Sequence, residues 1–225
     1  MGRERTNQER LSDNAILLTL CWKSQKHTGA DCVGDRLKVM KLAFIATYKL
    51  YWDEVKAINL GFHRYTYGPY TEQINDNRAD LANFGLLVDS ELISVTEEGA
   101  RFAECFEKEV LRLDENKSVL NVLNQVVEEY SSLTTAEVLS KVYKMWCFTL
   151  DSPGRKHEVE KTPIGKEYTR VLEEKETKET LYIPKGWQTT LELSFAPHAL
   201  RNLQKSIDDT FSGQLHGWEA FNSNV

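Results

Sequence analysis

An almost continuously apolar segment in the N-terminal quarter constrains the fold of this 225-residue chain more than any other feature. Between residues 34 and 51, large apolar side chains lie on nearly every face of a helix, and Lys38 and Lys41 share the narrow polar stripe that is left. A helix with so little polar surface is usually surrounded by other elements. We therefore expect this helix at the centre of a bundle, with both lysines reaching solvent.

Further helices are predicted on both sides of the central segment. Residues 12–14 offer N-caps for a helix over residues 15–22, Pro69 begins a helix that ends near Gly85, and two more helices cover residues 118–130 and 134–146. The aromatic residues 62–67 predict a short strand, and residues 86–95 predict two strands around a turn. The predicted fold is mainly α, a helical bundle with a small β-hairpin wing that is winged-helix-like.

A change of composition after residue 148 divides the chain into three predicted parts. Residues 1–148 form the helical domain. Residues 149–186 are dominated by Glu, Lys, Arg and Thr and predict a charged linker, because such a segment buries little apolar surface against its conformational entropy. Residues 187–225 form a small C-terminal strand-helix element, with a strand over residues 187–193, a helix over residues 197–208 and an aromatic tail.

Motifs for catalysis or metal binding are not recognised in the sequence. The four cysteines include no CxxC pair, and no histidine stands at ligand spacing from them. A Gly-rich phosphate loop, a G-x-S-x-G turn and an H-E-x-x-H helix are all missing. No apolar stretch approaches the roughly 18 residues that span a bilayer, and the first residues do not resemble a secretory signal. We expect a cytoplasmic protein that is not an enzyme, with no cofactor, no metal and no membrane contact.

The net charge of −6 is distributed unevenly along the chain. Residues 1–50 hold nine basic and five acidic side chains, a balance of +4, whereas residues 51–100 hold three and nine, a balance of −6. A helix, a strand, a helix and a wing in this order are compatible with DNA binding, but the helix after Pro69 is acidic and suits phosphate poorly. The candidate DNA contacts are Lys38, Lys41 and Arg64. A hairpin that only closes the core is an equally good interpretation.

Four segments between residues 36 and 101 carry a resemblance to a known family. They are RLKVMKLAFIA from residue 36, a strand that ends in YGPY at residues 67–70, LANFGLL from residue 81, and VTEEG at residues 95–99. In this order and spacing they resemble the SocA-like Panacea domain, a phage-associated family, although Phe44 stands where that family usually has tyrosine. The resemblance implies a helical fold with a small wing, no catalysis, and a role as an antitoxin or adaptor that neutralises a toxin protein.

The C-terminal element supplies the predicted partner-binding residues. A charged linker followed by an amphipathic element and an aromatic tail suits a segment that wraps around a partner. The predicted contacts are Trp187, Phe195, Leu200, Leu203, Trp218 and Phe221. The alternative is that these side chains fold back onto the helical core.

Two hypotheses for function follow. The first is a non-catalytic antitoxin that neutralises a cognate toxin protein by direct binding. The second is a winged-helix-like DNA-binding transcriptional regulator with operator DNA as its partner.

Overall fold

The fold is mainly helical, as predicted, in the computed structural model of this chain, which describes residues 3–195. Small sheets of two or three strands are attached to the helices of this part. Its seven α-helices are α1 (Asn7–Thr28), α2 (Arg36–Trp52), α3 (Gln73–Asn83), α4 (Glu97–Phe106), α5 (Lys117–Tyr130), α6 (Thr135–Lys144) and α7 (Lys185–Ser194). Its strands are β1 (Gly34–Asp35), β2 (Val55–Lys56), β3 (His63–Tyr65), β4 (Gly68–Tyr70), β5 (Leu87–Asp89), β6 (Leu92–Val95), β7 (Trp146–Thr149), β8 (Ser152–Glu158) and β9 (Glu179–Thr180).

Helices α1 and α2 form the centre of the molecule. Helix α2 agrees closely with the predicted central helix and packs against α1, α5 and α6. Helix α1 begins earlier than predicted, because a capping box between Thr6 and Glu9 closes its N-terminus. The residues expected to cap it, Ser12, Asp13 and Asn14, are instead buried inside the helix.

The aromatic segment forms a hairpin rather than a single strand that runs into a helix. Strands β3 and β4 pair antiparallel, with Arg64 opposite Pro69 and Tyr65 opposite Gly68. Gly68 has a φ of 86°, a backbone conformation that strongly favours glycine. Helix α3 therefore begins at Gln73 and not at Pro69, because Pro69 is held in the hairpin.

The predicted hairpin over residues 86–95 is present as strands β5 and β6. Strand β6 also pairs with β1, which makes a three-stranded antiparallel sheet. Gly85 has a φ of 71° just after α3, and the backbone N–H groups of Gly85 and Leu86 donate to carbonyls of the last turn of that helix. Gly99 packs so closely that an added Cβ would lie 2.1 Å from the carbonyl oxygen of Leu86.

The expected linker over residues 149–186 was wrong, because this segment packs on the helical core. Five of its apolar side chains are buried, which offsets its otherwise polar composition: Val159, Tyr168, Val171, Leu172 and Ile183. Strands β7 and β8 form a hairpin, and β9 pairs parallel to β2. The backbone N–H of Tyr168 also donates to the carbonyl of Phe62 at 2.8 Å.

The strand predicted over residues 187–193 was also wrong, since these residues belong to helix α7. Pro184 occupies the N-cap position of this helix, and Leu191 on its inner face is buried. The predicted helix over residues 197–208 and the aromatic tail lie outside the described residues. Within residues 3–195, no helix is long and apolar enough to cross a membrane.

Candidate partner-binding groove

Two of the predicted partner contacts, Trp187 and Phe195, lie against the core of the chain itself. The Trp187 ring packs edge-on against Phe102 and Phe106, with ring centroids 5.8 and 5.5 Å away, and its indole N–H donates to Glu109 at 3.0 Å. Phe195 is 6% exposed and contacts the rings of Phe84 and Phe102. Phe195 is therefore a core residue and Trp187 is partly buried against the core, as in the fold-back alternative. Leu200, Leu203, Trp218 and Phe221 lie outside the described residues.

The three predicted DNA contacts are buried, contrary to the expectation that both lysines reach solvent. The Lys38 ammonium donates to the carbonyl of Ser131 at 2.8 Å, and the Lys41 ammonium donates to that of Pro69 at 2.7 Å. The Arg64 Nε donates to the carbonyl of Val159 at 2.9 Å. Each cation is held by a backbone carbonyl from a distant part of the chain, which explains its burial. None of them is placed to bind the phosphates of a DNA duplex.

Exposed tyrosines draw attention to a different surface. A groove of about 540 Å³ runs between α2, α3 and the β3–β4 hairpin, and Asp89 of β5 closes one end. We call it the tyrosine groove, and its lining residues are Arg36, Leu37, Met40, Lys41, Tyr65, Tyr67, Gly68, Tyr70, Asn75, Arg78, Ala79 and Asp89. Its apolar lining distinguishes it from the other grooves of the described part.

The hairpin holds the tyrosines in a fixed cluster at the edge of the groove. The Tyr65 and Tyr70 rings lie 5.4 Å apart between centroids, and His63 contacts both. Asn75 of α3 donates to the hydroxyl of Tyr70 at 3.0 Å, and that hydroxyl also bonds to Glu72. Nevertheless, Tyr65 is 50% exposed and Tyr67 is 65% exposed. Aromatic side chains that are ordered and yet exposed are typical of binding surfaces.

Cationic side chains lie in the lining of the groove below the tyrosines. Lys41 is 1% exposed, and burial, together with the positive charge of Arg64, lowers the pKa of Lys41 to about 8. Arg78 is also buried, and its guanidinium approaches the Asp89 carboxylate at 3.4 Å while its Nε finds no acceptor among the described residues. Arg36 is more exposed and lies 3.3 Å from the same carboxylate.

Two other grooves of the described part are lined by charges that pair within the chain. In one, Lys23 and Arg112 both pair with Glu107 at 2.5 and 2.9 Å. In the other, Lys56 pairs with Glu9 at 3.0 Å. Part of the charge in these two grooves is therefore already paired within the chain.

A buried polar network anchors the N-terminal residues to the bundle. The Asp13 carboxylate accepts from Arg5 at 2.9 Å and from the backbone and side-chain nitrogens of Asn59 at 2.8 and 3.1 Å. Burial raises the pKa of Asp13 to about 6 despite these partners. Arg5 also donates to Asn77 of α3 at 2.9 Å. This network ties α1 to α3 and is closed off from solvent, so we assign it a structural role.

The cysteine thiols buried in the core are poor nucleophiles. Burial raises the pKa values of Cys21 and Cys147 to about 12, so both stay protonated at neutral pH. Among residues 3–195, no group of three or more metal-ligating side chains is clustered.

Of the groove residues, the sequence analysis singled out Lys41 alone, as a candidate DNA contact. The aromatic residues 62–67 predict a short strand, and that pattern does not show which of their side chains stay exposed. The tyrosines themselves could have indicated an exposed site. Two of them stand in or beside a turn, and turns lie at the surface, where some side chains stay exposed.

Comparison with known proteins found no match to this chain among family models, curated proteins or solved structures.

Proposed function

We propose that this chain is a non-catalytic antitoxin that neutralises a cognate toxin protein by binding it directly through the tyrosine groove. The observation that carries the proposal is the pair of half-exposed tyrosines, Tyr65 and Tyr67, held at the edge of an apolar groove. Tyrosine is enriched in protein interfaces because it offers a large apolar ring and a hydroxyl at low entropic cost. The groove thus provides the aromatic anchors that a protein interface needs.

The antitoxin part of the proposal depends on the resemblance of residues 36–101 to the SocA-like Panacea domain. That resemblance implies neutralisation of a toxin by binding, and a cytoplasmic location fits such a role. The YGPY segment that contributes to it forms strand β4 and one wall of the groove. A winged-helix-like arrangement of α2, α3 and the β5–β6 hairpin is part of the same proposal.

The proposed interface differs from the one expected in the C-terminal element. Trp187 and Phe195 are occupied by contacts within the chain, so they have little surface left for a partner. The contacts expected at Leu200, Leu203, Trp218 and Phe221 stay predictions. We assign the main interface to the groove because its aromatic rings are accessible.

The alternative function, a DNA-binding transcriptional regulator, loses its main support. Its three candidate cations donate to backbone carbonyls inside the fold. Helix α3 carries the exposed Asp76, and its Asp80 is paired with Arg10 of α1; this acidic helix disfavours contact with phosphate. DNA binding is therefore one possible outcome of the co-expression experiment.

The proposal is tested by co-expression with the product of the adjacent gene. We compare the native chain with Tyr65→Ser/Tyr67→Ser and with Tyr182→Ser, a matched control in which a tyrosine of similar exposure (51%) lies outside the groove. The native chain and the control are expected to rescue growth and to co-purify with the toxin, whereas the double variant does neither.

Two results would overturn the proposal. If the product of the adjacent gene is harmless when expressed alone, it is not a toxin and the proposed function fails. If the double variant rescues growth as well as the native chain does, the tyrosine groove is not the interface. A salt-sensitive shift of the adjacent promoter DNA, without a protein complex, would favour the regulator instead.

A further inference from the structure

We propose that the tyrosine groove recognises an acidic segment of its partner protein, with one Asp or Glu carboxylate held by Lys41 and Arg78 and an apolar neighbour packed against the tyrosines. This inference rests on the proposed function, since it specifies the chemistry of the partner segment that the groove would bind.

Charge complementarity is the first argument. Three cations, Lys41, Arg78 and Arg36, and one carboxylate, Asp89, line the groove. Asp89 is shared between the two arginines at 3.4 and 3.3 Å, so a single negative charge serves both guanidinium groups. No described carboxylate lies within 4.0 Å of the Lys41 ammonium. The lining therefore carries an excess of positive charge that only a negatively charged ligand would balance.

Unfilled hydrogen-bond donors are the second argument. The Lys41 ammonium has three N–H donors, and Pro69 is its only acceptor among the described residues. The Nε of Arg78 has none. A buried cation with unfilled donors is costly unless a counter-ion completes its contacts. A carboxylate in the groove would supply an acceptor to the Lys41 ammonium and lower this cost at the moment of binding.

The walls of the groove define what must accompany the carboxylate. Leu37 and Met40 of α2 and the rings of Tyr65 and Tyr67 present apolar surface beside the cations. A small inorganic anion would leave these walls in contact with water, whereas a peptide segment with an apolar side chain next to its acidic residue would cover them. A protein segment is therefore favoured over nucleic acid.

The direct experiment measures binding of two blocked peptides to the full chain by NMR. The probes are acetyl-Leu-Asp-Trp-Leu-amide and the same peptide with Asn in place of Asp. We expect the Asp peptide to bind at least about fivefold more tightly, with the largest shifts at the backbone amides of Tyr65, Gly68 and Lys41. Inorganic phosphate serves as a third probe.

Two variants locate the charge that selects the peptide. Lys41→Met should abolish the preference for Asp over Asn. Lys38→Met is the matched control, because this lysine lies one turn earlier in α2, is also buried, and donates to Ser131 away from the groove. The control should retain the preference in full, and the dispersion of the NMR spectrum reports whether each variant is folded.

Several outcomes would overturn the inference. They are equal binding of the two peptides, a preference that survives Lys41→Met, a failure of the Asp peptide to bind, and tighter binding of phosphate than of the peptide. Shifts that follow protein concentration without any peptide would show that a second copy of the chain fills the groove. If the tyrosine variants lose neutralisation but the peptides bind equally, this inference fails and the proposed function stands.

Discussion

Replacing Lys41 by methionine should make the protein more stable at neutral pH. The substitution conserves the length and volume of the side chain and removes a charge from a position that is 1% exposed. We expect the free energy of unfolding at pH 7 to rise by about 1–2 kcal/mol, since the desolvation cost of the ammonium exceeds the value of its single hydrogen bond.

The magnitude follows from two opposing contributions. A pKa of about 8 in the fold, against an ordinary value of 10.5, corresponds to about 3 kcal/mol at pH 7, because each pH unit is equivalent to about 1.4 kcal/mol. Methionine removes this cost. It also removes the hydrogen bond to the carbonyl of Pro69, and a buried carbonyl without a donor costs about 1–2 kcal/mol.

The pH dependence gives the same prediction a second, independent readout. The folded pKa of Lys41 is lowered, so the unfolded chain binds more protons between about pH 8 and 10.5, and native stability rises with pH over this window. The variant lacks this contribution. The stability of the variant minus that of the native protein should therefore fall and change sign as the pH rises from 7 to 10. Groups that titrate in both proteins cancel in this difference.

The assay is urea unfolding of both proteins at pH 7, 8, 9 and 10, followed by far-UV circular dichroism. The reasoning is refuted if the variant is less stable than the native protein at pH 7 by more than about 1 kcal/mol, a typical cost for losing a net-favourable hydrogen bond. A stability difference that does not depend on pH would refute it as well. A confirmed result would mean that the chain keeps a costly buried cation, which is typical of residues retained for binding.

Three further predictions concern the fold and its corrections. Gly99→Ala should lower the free energy of unfolding by about 2–4 kcal/mol, because the new Cβ would meet the backbone of Leu86; a melting temperature within a degree of the native value would contradict this. Asp13→Asn should remove a loss of stability of about 2 kcal/mol that the native protein shows as the pH rises from 4 to above 6, because the pKa of Asp13 is raised to about 6 in the fold. In that window the unfolded carboxyl ionises first, and urea titrations at pH 4, 5, 6 and 7 measure the effect. Trp187→Ala should cost about 2–4 kcal/mol of stability through its contacts with Phe106 and Glu109 and leave neutralisation intact at low temperature; lost neutralisation by a variant of native stability would restore Trp187 as a partner contact.

Local signals in the sequence predicted the local structure well. Thr134 forms a capping box with Glu137 at the start of α6, where the helix predicted over residues 134–146 begins. The left-handed Gly85 and the β5–β6 hairpin follow from residues only a few positions apart. Each of these features depends on interactions inside one short segment, so the sequence pattern was sufficient.

Features that depend on distant residues were missed. Burial of Lys38 and Lys41 requires the carbonyl acceptors of Ser131 and Pro69, which lie far away along the chain. The residue pattern of α2 does not indicate these acceptors. The segment over residues 149–186 looked like a linker because its average composition is polar. Its packing depends on a few apolar side chains, such as Tyr168, and on backbone hydrogen bonds to β3 and β2.

Helix α7 shows how packing overrides local preference. Thr189 and Thr190 beside Trp187 favour a strand on intrinsic propensity. The helix is selected because it places Trp187 and Leu191 against the core together. The tyrosine groove was missed for a related reason, since whether an aromatic side chain packs inward or outward is decided by the partner strand of its hairpin.

The central claim is tested most directly by the dissociation constant of the complex between this chain and its toxin. Isothermal titration calorimetry would compare the native chain, Tyr65→Ser/Tyr67→Ser and Tyr182→Ser at one salt concentration. We predict that the double variant binds at least about 100-fold more weakly, as expected when two aromatic anchors are removed, and that the Tyr182 variant binds as the native chain does. An unchanged dissociation constant for the double variant, with both variants folded, would contradict the account.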